Sequence, residues 1–206
     1  MQEDPESPVA APTGEGSLTR IDGLAILRRM TGASVLLWIA GVPLGLFLAN
    51  LSEWLVHRHV LHGLGRRRSS FWSFHWHEHH RAARRNAMFD PDYERFPIGW
   101  HAQGKEILGL SLGAIPALAV APWMPTLGLT LVGCGVEYWY KHRRAHLDPA
   151  WARAHLPWHV DHHLGRDQDA NWCVTRPWCD RLFGTRKPWL GTAEERGARP
   201  AAADAA

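Results

Sequence analysis

Two long apolar stretches set the plan of this chain. Residues 34–56, "SVLLWIAGVPLGLFLANLSEWLV", carry Glu53 as their only charge. As a helix they would measure roughly 34 Å, enough for a bilayer core of about 30 Å, with Pro43 expected to kink them. Residues 107–140, "ILGLSLGAIPALAVAPWMPTLGLTLVGCGVEYWY", would measure roughly 51 Å as one straight helix, too long for a single crossing. The two prolines of "APWMP", 121–125, interrupt them, so the pattern predicts two short helices in a hairpin. Long polar segments at 57–106 and 141–206 lower the mean hydropathy to −0.27, which taken alone fits a soluble helical protein with buried core helices. The local apolarity favours membrane attachment instead. The 12 tryptophans agree, because several flank the apolar runs and indole favours the membrane–water boundary.

Composition narrows the classes further. At 206 residues the chain is one domain with enough mass for a core. Its net charge of +3 gives no reason to expect nucleic acid as a partner. Cys134, Cys173 and Cys179 are odd in number and lack a CxxC spacing, which fits scattered reduced thiols rather than a disulfide framework or a cysteine zinc site. Residues 1–19 are acidic and rich in Pro, Gly and Ala; they read as a disordered leader without secretory-signal character. Residues 191–206 read as a flexible tail, leaving 20–190 as the membrane domain.

The polar segments hold the unusual chemistry. Histidine occurs 14 times, 12 of them in "HRHVLH" (57–62), "HWHEHH" (75–80), "HRRAH" (142–146) and "HVDHH" (159–163), with His155 just ahead of the last cluster and His101 standing well apart. On a helix that advances about 100° per residue, neighbours at i+3 and i+4 share a face. His142 and His146 can therefore bind one ion, and His159 and His163 converge while His162 points towards a second centre. His57 and His62, five apart, diverge by about 140° on an ideal helix and suit two neighbouring ions. In the second cluster His75 pairs with His79 and His77 with His80, so each metal gains one extra ligand or one flanking histidine is idle. Neutral imidazole suits iron, zinc, copper and nickel, and the clusters supply about four or five nitrogens for each of two metals. His59 and His101 are better read as bystanders.

Topology follows from bringing these clusters together. No apolar span separates His62, His80 and Lys105, so 107–140 must cross an even number of times to return His142 and His163 to the same side. Arg58, Arg66, Arg67, Arg68, Arg81, Arg84 and Arg85 lie after the first span, against Arg20, Arg28 and Arg29 before it, which places the histidines on the cytoplasmic face.

The ordered series of histidine motifs resembles the fatty acid hydroxylase superfamily of membrane oxygenases, which includes sterol desaturases, methylsterol oxidases and carotene hydroxylases. The similarity covers approximately 34–190 and includes "NWCVTRPWCDRLFGT" (171–185). The chain departs from the family pattern at Trp76, where a leading histidine is expected and His75 and His77 stand on either side. The resemblance implies an all-α, membrane-embedded helical bundle with a short hairpin and a cytoplasmic histidine-rich cap. It also implies two irons, O2 as co-substrate and hydroxylation or desaturation of an unactivated C–H bond in a lipid. The metal ligands would come from His57, His62, His75, His77, His79, His80, His142, His146, His159, His162 and His163.

Three acids accompany the motifs. Glu53 and Glu137 precede histidine pairs in parallel fashion; each is either an acceptor for a ligand N–H or an Arg-paired carboxylate. Asp161, off the His159/His163 face, is read first as a solvent-facing or Arg-paired acid and second as an acceptor for a ligand N–H, while Asn171 and Asp180 are expected to order the C-terminal segment. No GxGxxG or CxxCH motif supplies electrons, so a separate donor of ferredoxin or cytochrome b5 type is required. The leading reading is a lipid hydroxylase, with a lipid desaturase or carotenoid hydroxylase on the same scaffold beside it. Two other classes compete: a membrane zinc hydrolase, weakened by the absence of HExxH, and a non-catalytic metal store or sensor.

Overall fold

Every regular element among the described residues, 32–198 of the computed structural model, is helical. The leader expected at 1–19 and the end of the tail, 199–206, lie outside the described residues. The chain divides after Val35, and the unit from Leu36 onwards holds all four histidine clusters. Helix α1 (Gly32–Leu55) carries Pro43 and runs without a break into a π-helical segment, Val56–Leu64. A second π-helical segment, His75–His79, leads into α2 (His80–Arg85). After a 3-10 turn at Pro91–Glu94 come α3 (Ala102–Val120) and α4 (Pro125–Leu147). The chain then forms α5 (Pro149–His155), α6 (Pro157–Leu164), α7 (Trp178–Leu182) and α8 (Ala193–Ala198).

Proline sets many of these boundaries. Pro91, Pro125, Pro149 and Pro157 each open a helical element at its first turn, where a missing N–H costs nothing and the fixed φ is already helical. Asp148 caps α5 by accepting from Trp151 N at 2.9 Å. His101 does the same for α3: its Nδ1 accepts from Gly104 N at 3.4 Å. The predicted hairpin is present, with α3 and α4 joined through a turn at 121–124.

Small residues let the long helices approach. A Cβ built on Gly45 of α1 would stand 2.8 Å from Thr130 Cβ on α4, and one on Gly41 would collide with Thr126. Thr126 Oγ1 instead donates to Trp38 O at 2.6 Å, tying the helices together. Gly45→Ala should therefore force α1 and α4 apart and cost about 1–3 kcal/mol. Gly113→Ala, with nothing within 4 Å of the added carbon, should not. Thermal unfolding of the two variants side by side checks this.

One continuous helix, Val35–Leu64, is long and apolar enough to cross a membrane, and its apolar side chains largely face outwards, Leu36 and Ile39 being 69% and 66% exposed. Asn50, Glu53 and Trp54 near the end of α1, and His57 in the π-helical segment that follows, carry polar groups inward at the helical period. Asn50 Nδ2 donates to Arg176 O (2.7 Å) and Trp54 Nε1 to Thr185 Oγ1 (3.0 Å), so the C-terminal segment is strapped across the end of α1. The strap is further held by Asp180, which accepts from Trp172 N and Cys173 N at 2.8 Å each. Asn171 sits at φ 59°, its side chain bonded to Lys187 and Arg186. Residues 191–198, read from sequence as loose tail, instead return to the body, where the buried Glu195 accepts from Arg153 and from Gly191 N (both 2.6 Å).

Candidate metal centre

The four histidine clusters converge into two adjoining groups, all buried. In the first, the ligand-capable nitrogens of His57, His62, His75, His80 and His162 lie within 4.8 Å of one another. In the second, those of His79, His142, His146 and His163 do the same. His159 joins the second group, its Nε2 standing 3.1 Å from His146 Nε2. The adjacent residues His79 and His80 point into different groups, as do His162 and His163, so the two groups share a wall. Across it the rings of His80 and His163 are 4.3 Å apart.

The π-helical turns explain a departure from the sequence reading. His57 and His62 do not serve two ions; they meet in one group, and so do His75 and His80. Both pairs are five residues apart, and both segments have i→i+5 hydrogen bonding, which brings such residues onto nearly one face. The same turn decides between the flanking histidines of the second cluster. His75 is turned inward, whereas His77 lies outside both groups and is bonded through Nε2 to Arg66 O at 3.0 Å. His77 is thus removed from the candidate ligands.

The outward nitrogens carry the strongest chemical signal. His57 Nδ1 donates to Trp172 O (2.5 Å), His146 Nδ1 to Met88 O (2.7 Å) and His162 Nδ1 to Ala170 O (2.7 Å). His79 Nδ1 donates to Asp90 (2.8 Å), His142 Nδ1 to Glu106 (2.8 Å) and His80 Nδ1 to Gln168 Oε1 (3.0 Å). A carbonyl or carboxylate partner fixes the proton on Nδ1 and leaves a lone pair on the inward Nε2. His80 and His162 are both so fixed, yet their Nε2 atoms stand 3.1 Å apart. Two lone pairs at that distance repel unless a cation lies between them. His79 Nε2 and His142 Nε2, also facing inward, are buried with no hydrogen-bond partner. The residues therefore fit a pair of metal ions.

The spacing is also compatible with a shared ion. Two nitrogens about 2.1 Å from one ion stand roughly 3.0 Å apart at a right angle and roughly 3.4 Å apart at the tetrahedral angle. The Nε2 pairs His57–His75, His62–His80, His75–His80 and His80–His162 span 3.0–3.2 Å. Those distances lie within the range spanned by nitrogens that share one ion.

Burial, and then the neighbouring imidazoles, hold the ligands neutral. His75, His79, His80, His146, His159, His162 and His163 are all shifted well below the usual histidine range, and His142 is brought down to about 3. The sign is that of a base depressed in the folded state. The stability it contributes is complete above the unfolded value near 6.5 and is lost as the pH falls below it. Each such histidine removes about 1.4 kcal/mol per pH unit below ~6.5, so a few together exhaust an ordinary folding free energy. Metal content and circular dichroism followed from pH 7.5 to pH 4.5 should show steep joint loss of metal and tertiary structure starting below about pH 6.5.

The three acids singled out from sequence do not meet an imidazole. Glu53 accepts from Val174 N and Thr175 N (2.9 Å each) and from the Thr175 hydroxyl. Glu137 is paired with Arg176 (2.7 Å) and Lys141 (2.8 Å). Asp161 is paired with Arg186 (2.6 Å) and accepts from Trp189 N and Leu190 N. All three hold the C-terminal strap, which in turn presents Trp172 O to His57. The acids that do orient ligands are Asp90 and Glu106, with Gln168 beside them. Asp90 divides its oxygens between His79 and the cap of the 3-10 turn, where Asp92 N donates at 3.0 Å. Glu106 takes His142 on one oxygen and the Tyr93 hydroxyl (2.6 Å) on the other.

No protein-family model, no curated protein and no solved structure matches this chain. The functional reading therefore stands on the geometry of the site.

Proposed function

We propose that this chain is a membrane-bound, O2-dependent lipid hydroxylase built around two histidine-ligated irons, a member in kind of the fatty acid hydroxylase superfamily. The observation that carries the metal assignment is the facing pair His80 Nε2 and His162 Nε2, two lone pairs 3.1 Å apart at the wall between the groups. His57, His62, His75, His80 and His162 would hold one ion, and His79, His142, His146, His159 and His163 the other. Bound iron would supply the oxidising power for an unactivated C–H bond, which no side chain of the protein supplies.

The chain's own part is to hold and to shield. Asp90, Glu106, Gln168 and the carbonyls of Met88, Ala170 and Trp172 keep the Nδ1 protons of His79, His142, His80, His146, His162 and His57 in place, so the inward nitrogens of these six stay neutral donors. Trp172, Tyr93 and Leu156, each at most 3% exposed, exclude water around the histidines. The outward apolar surface of Val35–Leu64 supports placement in a bilayer, with the histidine cap on the cytoplasmic side. An acyl chain could then reach the cap without crossing bulk water, avoiding about 0.8 kcal/mol per exposed CH2. Electrons come from a separate donor of ferredoxin or cytochrome b5 type.

The test is reconstitution of the iron-loaded protein with a donor and membrane lipid under 18O2. Label in a lipid hydroxyl group supports the reading. Turnover without O2 eliminates it and favours a hydrolase.

A further inference from the structure

Beside the first histidine group lies a groove of about 350 Å3, bordered by Arg58, His62, Arg66, Asp169 and Trp172. None of the features that hold the metal ligands accounts for it. Two of its lining side chains are almost fully buried and each carries an unpartnered nitrogen: His62 Nδ1 and Trp172 Nε1, in residues 1% and 3% exposed. With His62 Nε2 given to the ion of the first group, as proposed above, its Nδ1 carries the proton, so both orphans are donors. Buried donors without acceptors are costly, and two in one groove mark a place for something that accepts.

The charges at the rim select the acceptor. Asp169 is already engaged by Arg66 at 2.6 and 2.7 Å, and its carboxylate stands 3.6 Å from His62 Nδ1, beyond a hydrogen bond. Arg58 has no acidic partner among the described residues; it is held over the Trp54 ring, 4.8 Å from the centroid. Arg58, Trp172 and His62 thus border one groove and bring to it a guanidinium, an indole N–H and an imidazole N–H, a donor set suited to a phosphate or carboxylate group.

The groove's place in the fold says where that anion comes from. Arg58 and His62 lie in the last turns of the helix Val35–Leu64, at the end of its apolar stretch. The same turns expose Leu55, Val56 and Leu64 at 42–44%. A ligand with an anionic head and an apolar tail matches both features, whereas a free anion uses only the first.

We propose that this groove binds the anionic headgroup of a membrane lipid. The proposal rests on the membrane placement of Val35–Leu64 and makes an anionic lipid the substrate class of the adjoining metal site. It does not depend on the oxygen chemistry.

Calorimetric titration of the metal-loaded full chain in a neutral detergent tests it, with short-chain phosphatidic acid, short-chain phosphatidylcholine and inorganic phosphate as probes. Phosphatidic acid should bind at least roughly tenfold more tightly than either other probe, and Arg58→Gln should lose that margin. Arg58→Gln should keep the metal content and far-UV dichroism of the parent. Should that variant fail to fold, Trp172→Phe, which keeps the ring and removes the N–H, should weaken phosphatidic acid binding in the same direction. Equal affinity for the two lipids, or undiminished binding by a folded variant, overturns the proposal. Inorganic phosphate binding as tightly as phosphatidic acid overturns the lipid assignment and leaves a phosphate site. Tight phosphatidic acid binding by a protein that incorporates no 18O would leave the groove standing and remove the oxygenase reading.

Discussion

Replacing His163 with alanine should abolish oxygenation and release the metal of the second group, whereas His77→Ala should change neither. His163 is completely buried among His79, His142 and His146, and neither of its ring nitrogens has a hydrogen-bond partner, so one nitrogen is free to bind a metal. Its loss leaves a coordination position open beside His79, His142 and His146. The resulting fall in affinity should exceed the roughly 10–100-fold that loss of an outer hydrogen-bond partner causes. His77 faces Arg66 O outside both groups, so its removal costs one peripheral hydrogen bond. His101→Ala is a second control: it removes the cap of α3, worth about 1 kcal/mol of stability, and leaves the metal content intact. Metal analysis and product formation on the three variants give the comparison. Equal loss in His163→Ala and a folded His77→Ala would mean that the π-turn has been assigned the wrong inward face.

The second large effect should come from Asp90→Ala. Asp90 accepts the Nδ1 proton of His79 in a buried hydrogen bond of 2.8 Å, both side chains being at most 3% exposed. Removing the carboxylate strands that N–H and frees the ring to turn, and metal affinity in the second group should fall by roughly 10–100-fold. Asp90→Asn, which keeps an acceptor oxygen, should recover part of the loss. Glu53→Gln should behave differently, since Glu53 grips Val174 and Thr175 rather than a ligand. It should loosen the C-terminal strap and lower thermal stability with little effect on the second group's metal. Competition with a chelator, monitored alongside thermal unfolding, separates the two behaviours.

What could be read in the sequence, and what could not, divides along a physical line. The hairpin was legible because the two prolines of "APWMP" interrupt the apolar run, Pro125 opening the second helix at its first turn. The i+4 pairs His142/His146 and His159/His163 were legible because both lie on ordinary α-helices, α4 and α6, where spacing fixes the face. The pairs His57/His62 and His75/His80 were not. Their spacing of five has meaning only in a π-turn, and nothing in "HRHVLH" or "HWHEHH" announces that the chain abandons the α-helical period. The same ambiguity left His75 and His77 undecided.

The orienting acids were hidden for another reason. Glu106 reaches His142 from 36 positions away, and Gln168 reaches His80 from 88. Pairings that distant are set by how the helices dock, not by local pattern. Glu53 and Glu137 drew notice by standing just ahead of histidines, but side chains so near in sequence on one helix point to the strap instead. Asp90 offered a faint signal, as the residue before Pro91 at the head of a turn. That position marks it as a cap and says nothing of its second oxygen.

Occupation of the two histidine groups by two metal ions is tested most directly by the metal content of this protein expressed with iron supplementation and purified in detergent. Two iron atoms per chain are expected, falling to about one in His142→Ala, which removes a ligand from the second group alone. A folded protein that binds no metal, or one that keeps its full metal content after that substitution, would contradict it.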